Sequence, residues 1–142
     1  MNWFEAKDHC KTEGGYLVEI DSMEENNALV EEIKRKGFSK RLFWIGITDR
    51  GSEGDWILET SGSKPSYLNW GRGEPDGGQK ENCALVWNNE HFGGKWCDVP
   101  CDMDNIPYKS MHALCEFKES GDCPPLILEN VNYGNPMKII RK

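Results

Sequence analysis

A chain of 142 residues is long enough for one domain with a single hydrophobic core. Its formal charge of -7 comes from acidic residues spread along the chain, which argues against a phosphate-backbone partner. No apolar stretch approaches the ~18 residues of a membrane-spanning helix, and the opening Met1-Asn2-Trp3-Phe4-Glu5 has neither the basic region nor the apolar core of a signal peptide.

Taken in order, Asn2 to Thr12 reads as a helix. Asn2 and Glu5 make a capping box, Trp3, Ala6 and Cys10 recur on one face, and Gly14-Gly15 ends it. Tyr16 to Ile20 is a short β-type run. Asp21-Ser22 followed by Glu24-Glu25 opens a second helix with Leu29, Val30 and Ile33 as its buried stripe. Gly37 stops it, after Lys34, Arg35 and Lys36 at the negative end of its dipole. Leu42 to Ile47 is a nearly continuous apolar run, the kind buried on both faces, and Asp55 to Leu58 is a second candidate strand. From Glu59 to Asn82 periodicity vanishes and Gly, Ser and Pro accumulate, with Tyr67, Leu68 and Trp70 as apolar anchors for an ordered loop. Cys83 to Trp87 and Lys95 to Cys97 read as paired strands, and Ala113 to Phe117 as a last strand. Helices first and strands after predict an α+β fold with an antiparallel sheet. Residues 119–142, with Gly121, three prolines, a lone Cys123, and Lys138, Arg141 and Lys142 near the end, read as an extension or linker after a domain at 1–118.

Four carboxylates, Glu74, Asp76, Glu81 and Asp98, are spaced too irregularly for one face of a helix or strand, so a folded loop must gather them if they act together. Calcium suits such a loop, since it takes six to eight oxygen ligands in a flexible cage. Six cysteines, at 10, 83, 97, 101, 115 and 123, form an even set that points to disulfides and an oxidising compartment, with fifteen pairings open. With no leader in view, the chain is expected to be a mature, engineered or truncated piece of a secreted protein. Cys97, Cys101, His112 and Cys115 also make a thin zinc pattern. No nucleophile motif, phosphate loop or HExxH is present, which argues against an enzyme.

Trp44-Ile45-Gly46-Ile47, Glu53-Gly54-Asp55-Trp56, Asn69-Trp70, Glu74-Pro75-Asp76, Glu81-Asn82-Cys83, Trp96-x-Asp98-x-x-Cys101 and Cys115-Glu116-Phe117 occur here in one order. Together they resemble the C-type lectin domain over residues 2 to 118. The resemblance implies two helices flanking antiparallel sheets, a long calcium-binding loop, a cis peptide before Pro75, and the disulfides Cys10–Cys115 and Cys83–Cys101. Cys97 and Cys123 are then left, to pair if the tail folds back. It further implies Ca2+ held by Glu74, Asp76, Glu81 and Asp98, the same four residues binding glycan, and a weaker second site at Asp49 and Glu53, whose further acidic positions fall on Gly77 and Asn82.

Two departures remove amides: Asp76 stands where the mannose-type pattern has Asn, and Cys97 where an Asn precedes Asp98. Glu74-Pro75-Asp76 is a hybrid of the mannose-type and galactose-type patterns and selects neither. Calcium-dependent glycan binding is the implied function. The alternative is a lectin-like scaffold contacting protein or mineral surfaces without sugar. Family members begin with a strand ahead of the first helix, so the terminal strand here is expected to lack a partner. The tail, with Cys123-Pro124-Pro125, resembles the opening of a complement-control (sushi) module.

Overall fold

The computed structural model of the chain describes residues 1–107 and 109–118 and the backbone of 137–140. The first helix, α1 (Trp3–Thr12), begins at its capping box, where Asn2 Oδ1 accepts the Glu5 amide at 2.9 Å and Glu5 Oε2 accepts the Asn2 amide at 2.8 Å. Its buried Trp3, Ala6 and Cys10 face the sheet, and the Trp3 indole donates to the Ile45 carbonyl at 3.1 Å. After β1 (Tyr16–Leu17), the second helix α2 (Met23–Arg35) is capped by Ser22, whose Oγ accepts the Glu25 amide. Gly37 then turns the chain out of the helix at φ 75°, a left-handed conformation in which a side chain would be strained.

The sheet is built around β2 (Leu42–Thr48), with β3 (Ile57–Leu58) pairing its end, β4 (Cys83–Trp87) on one side, and β5 (Lys95–Val99) beyond β4. Every residue of β2 is buried because the two faces of the sheet are covered by different helices. Phe43, Ile45 and Ile47 point into a cluster with Leu29 and Ile33 of α2, while Leu42 and Trp44 point into a second with Trp3, Ala6 and Cys10 of α1. One continuous apolar run thus serves two cores, one residue in two for each.

The α+β fold with antiparallel pairing is as expected, with β2 antiparallel to β3 and β4, and β4 to β5, while the sheet as a whole is mixed. The short β6 (Asn105–Ile106) precedes β7 (Lys109–Phe117), and β7 runs parallel to β2 from Leu42↔Met111 to Trp44↔Ala113. The connectivity requires this. The chain leaves β5 at one edge, crosses to the far side of β2 and enters β7 in the direction in which β5 ended, and a crossover rather than a hairpin yields a parallel pair. The expectation of a partnerless terminal strand fails, because β7 pairs with β1, β6 and, in parallel, with the backbone of β8 (Met137–Ile140).

Among the described residues two disulfides close the fold. Cys10–Cys115 ties α1 to β7 across 105 residues, and Cys83–Cys101 ties β4 to the start of the crossover across 18. Loop-closure reasoning assigns the first about 4.7 kcal/mol and the second about 3 kcal/mol. Cys97 is a free, buried thiol, and Cys123, its expected partner, lies outside the described residues.

Candidate functional site

Between β3 and β4 the chain has almost no regular structure, only a 3-10 turn at Gly78–Lys80, so side chains must hold this loop. Trp96 of β5 is the post. Tyr67 and Trp70 meet it edge-on, with ring centroids 5.6 Å and 6.2 Å away, and Trp56 lies 4.7 Å from Trp70. Backbone bonds tighten the contact: the Trp96 amide donates to the Asn69 carbonyl at 2.9 Å, and the Gly71 amide donates to the Trp96 carbonyl at 2.8 Å. Leu68, expected as a third anchor, is exposed, since its neighbours Tyr67 and Trp70 take up the packing surface. Trp44, Trp56 and Trp96 are buried as core.

The post sets the acidic centre. Asp98 follows Trp96 by two residues, so the strand directs both to the same face, and Asp98 is buried there. Its Oδ1 accepts the Asp76 amide at 3.0 Å and its Oδ2 accepts the Gly77 amide at 2.9 Å. One carboxylate therefore pins the backbone that carries the next. With the Glu74-Pro75 peptide cis, Glu74, Asp76 and Asp98 each bring a ligand oxygen to within 4.8 Å of the others. Of the expected four, Glu81 stands just outside this group, against Gly77, where any added Cβ would fall on its side chain.

The carboxylates of the centre are crowded and partly desolvated. Glu74 Oε2 is buried without a hydrogen-bond partner. Burial pushes the Glu74 carboxyl up from its ordinary 4.5 to about 7, helped by its hydrogen bond to Asp98 and by the charges of Asp76, Asp98 and Glu81. Glu81 is raised as well, by burial first and then by Asp98 and Asp76. The donor set is all hard oxygen, the type calcium takes, so Glu74, Asp76 and Asp98 could hold such an ion.

Cys97 lies on the other face of β5, in the cluster beneath α1, and its thiol is pushed up to about 12 by burial and then by the four carboxylates. A protonated, buried thiol offers neither a metal ligand nor a hydrogen-bond donor at the loop. Nor does the zinc pattern assemble, since Cys101 and Cys115 are bound in disulfides.

At the second position Asp49 is buried rather than on the surface. Its Oδ2 accepts the Gly54 amide at 2.9 Å, closing a turn, and its Oδ1 is buried without a partner. Glu53 is exposed across that turn, and the Asn82 carbonyl, which accepts the Thr48 hydroxyl at 2.6 Å, completes the neighbourhood. One carboxylate is thus committed to its turn and the other open to solvent.

Asn26 is a site residue that the sequence reading passed over. It lies on the stripe of α2 with Leu29, Val30 and Ile33, is buried, accepts the Trp96 indole at 2.8 Å and donates to the Gly94 carbonyl at 3.2 Å. The Asn69 amide donates to the same carbonyl at 3.2 Å. The available signal was the amide itself, a polar residue at an apolar stripe position.

The profile of the Lectin C-type domain matches residues 1–117. A perlucin-like protein of Mytilus galloprovincialis is 37% identical over 107 residues, covering 75% of this chain and 67% of that protein. Human C-type lectin domain family 3 member A is 36% identical over 116 residues, 82% of this chain and 54% of its own, so this chain spans about half the length of that relative. The cow carbohydrate-recognition domain of CD23, solved in the presence of a GlcNAc2Man3 oligosaccharide, superimposes with a TM-score of 0.59 at 34% identity, over 71% of each chain.

Proposed function

Because the chain belongs to the C-type lectin domain family, whose members are non-catalytic, we propose that it is a secreted, calcium-dependent glycan-binding module. Glu74, Asp76 and Asp98 hold the ion, with Glu81 closing on it from beside Gly77. The observation that carries the reading is the buried, unpartnered Glu74 Oε2 among three converging carboxylates. The oligosaccharide in the cow relative's structure supports the glycan half of the reading. Asp49 and Glu53 form a weaker second calcium position, for which the unpartnered Asp49 Oδ1 speaks.

A second reading has its own observation. Ionised Glu and Asp only accept hydrogen bonds, whereas a sugar hydroxyl on the ion gives its proton to a carboxylate and takes one from an amide. With Asp76 in place of one amide and the buried Cys97 in place of another, that donor half is missing here. A hydrogen bond to a charged group contributes about 1.5–3 kcal/mol, so its loss weakens sugar while leaving the ion in place. This favours a lectin-like scaffold that takes up calcium and contacts protein or mineral surfaces. A glycan array probed with and without chelator separates the two. Glycan binding that chelator abolishes supports the module; calcium uptake with no glycan bound supports the scaffold.

A further inference from the structure

Residues 34–41, Lys-Arg-Lys-Gly-Phe-Ser-Lys-Arg, put five cations and no carboxylate into eight positions of a chain whose net charge is -7. The helix dipole accounts for the first of them, and Lys34 and Arg35 are also paired along α2 with Glu31 and Glu32. Lys40 and Arg41 lie beyond the helix, and among the described residues neither is paired with a carboxylate.

The turn that carries them is built rigidly. The Phe38 amide donates to the Ile33 carbonyl at 2.9 Å, the Arg41 amide donates to the Phe38 carbonyl at 2.8 Å, and the Phe38 ring packs against the α2-side core. The Arg41 guanidinium lies 4.0 Å from the centroid of that ring. A guanidinium stacked on an aromatic face keeps its N–H edge for two oxygens of a carboxylate or sulfate, and it is already ordered before a ligand arrives. The pairing Leu42↔Met111 brings Lys109 to the same end of the sheet, where its ammonium sits 4.7 Å from the Trp87 ring centroid. The acidic loop is at the opposite end of β2, where Thr48 meets Cys83, so the length of β2, roughly 20 Å at ~3.3 Å per residue, separates the two.

We propose that residues 36–41, with Arg41 as the forked contact and Lys40 and Lys109 as flanking charges, dock an anionic polysaccharide through its sulfate or carboxylate groups, without calcium. The surroundings argue against other polyanions. The large hydrophobic residues that are exposed among those described, Met23 and Leu68, both lie outside this turn, so a lipid surface finds no apolar wedge there. Phe38 is covered by Arg41 and offers no free ring for base stacking. The proposal is independent of the calcium reading and stands or falls apart from it.

The test is binding of a heparin oligosaccharide to the full chain in chelator, by calorimetry. Wild type is expected to bind, with affinity falling as salt shortens the Debye length to about 3 Å. Lys40→Glu with Arg41→Glu should lower affinity at least about tenfold, and Arg41→Lys, which keeps the charge and loses the fork, about threefold. Lys64→Glu, a single reversal at an exposed lysine elsewhere, should leave it unchanged. The site is overturned by no binding in chelator, by an unaltered double variant or Arg41→Lys variant, by an equal loss in Lys64→Glu, or by a DNA duplex binding as tightly as the oligosaccharide. Melting temperatures of all variants keep a folding defect from passing as a binding defect.

Discussion

Glu74 is the residue at which the cost of holding three carboxylates together appears. Its carboxyl is raised from 4.5 to about 7, by burial before all else. A folded-state value above the unfolded one means that the native chain holds the proton more tightly between them. Calcium-free stability from this group is therefore fully present below about pH 4.5 and is lost as pH rises through about 7. The expected outcome is a calcium-free protein whose denaturant midpoint falls across that window, and a Glu74→Gln variant in which this part of the slope is gone. A cation reverses the dependence, since binding expels the proton that the free site retains, and calcium uptake should strengthen as pH rises through the same window. Equal slopes for the variant and the parent in chelator would remove Glu74 from the centre of the site.

At the scale of elements, α2 reaches the acidic loop through one buried amide. Asn26 joins the helix to the Trp96 indole and the Gly94 carbonyl, and Gly94 is also held by Asn69 at the stem of the loop. Asn26→Leu leaves the indole donor buried and unpaired, so a loss of about 1–3 kcal/mol is expected in denaturant unfolding. Asn26→Asp keeps an acceptor for the indole but sets a buried carboxylate oxygen against the Gly94 carbonyl, so its loss should be at least as large as that of Asn26→Leu, and a much smaller loss would mean that the bond to Gly94 does not matter. The same element shows where sequence reading stops. Helix caps, the apolar run of β2 and the β4 and β5 strands are local patterns and were legible residue by residue. The parallel pairing of β2 with β7 and the partners of β7 depend on where a crossover lands, which no local period encodes. At the site, sequence reading grouped Glu74, Asp76, Glu81 and Asp98, of which the fold brings the first two and Asp98 together and leaves Glu81 just outside. That Asp98 also fastens the Asp76 and Gly77 amides, and that Cys97 turns to the opposite face, required the folded strand.

Taken whole, the molecule is a two-faced sheet, disulfide-stapled, with its carboxylates gathered at one end of β2 on a loop that side chains and backbone bonds alone hold. Such a loop belongs to the less stable part of the fold, and a ligand that binds only the folded form stabilises all of it by mass action. Calcium at a hundred times its dissociation constant is expected to add about 2.7 kcal/mol. For a domain of this length that corresponds to a rise of roughly 10 °C in melting temperature. Magnesium should do much less, because it demands near-octahedral geometry and keeps its waters, whereas these oxygens are set by an irregular loop. Asp98→Asn tests the arrangement from within: the amide halves the set of carboxylate oxygens that fasten the loop, so the calcium shift should largely disappear even where the variant still folds. A calcium shift matched by magnesium would point to general charge screening of a -7 chain. No shift with either ion would mean that the three carboxylates converge without holding a cation.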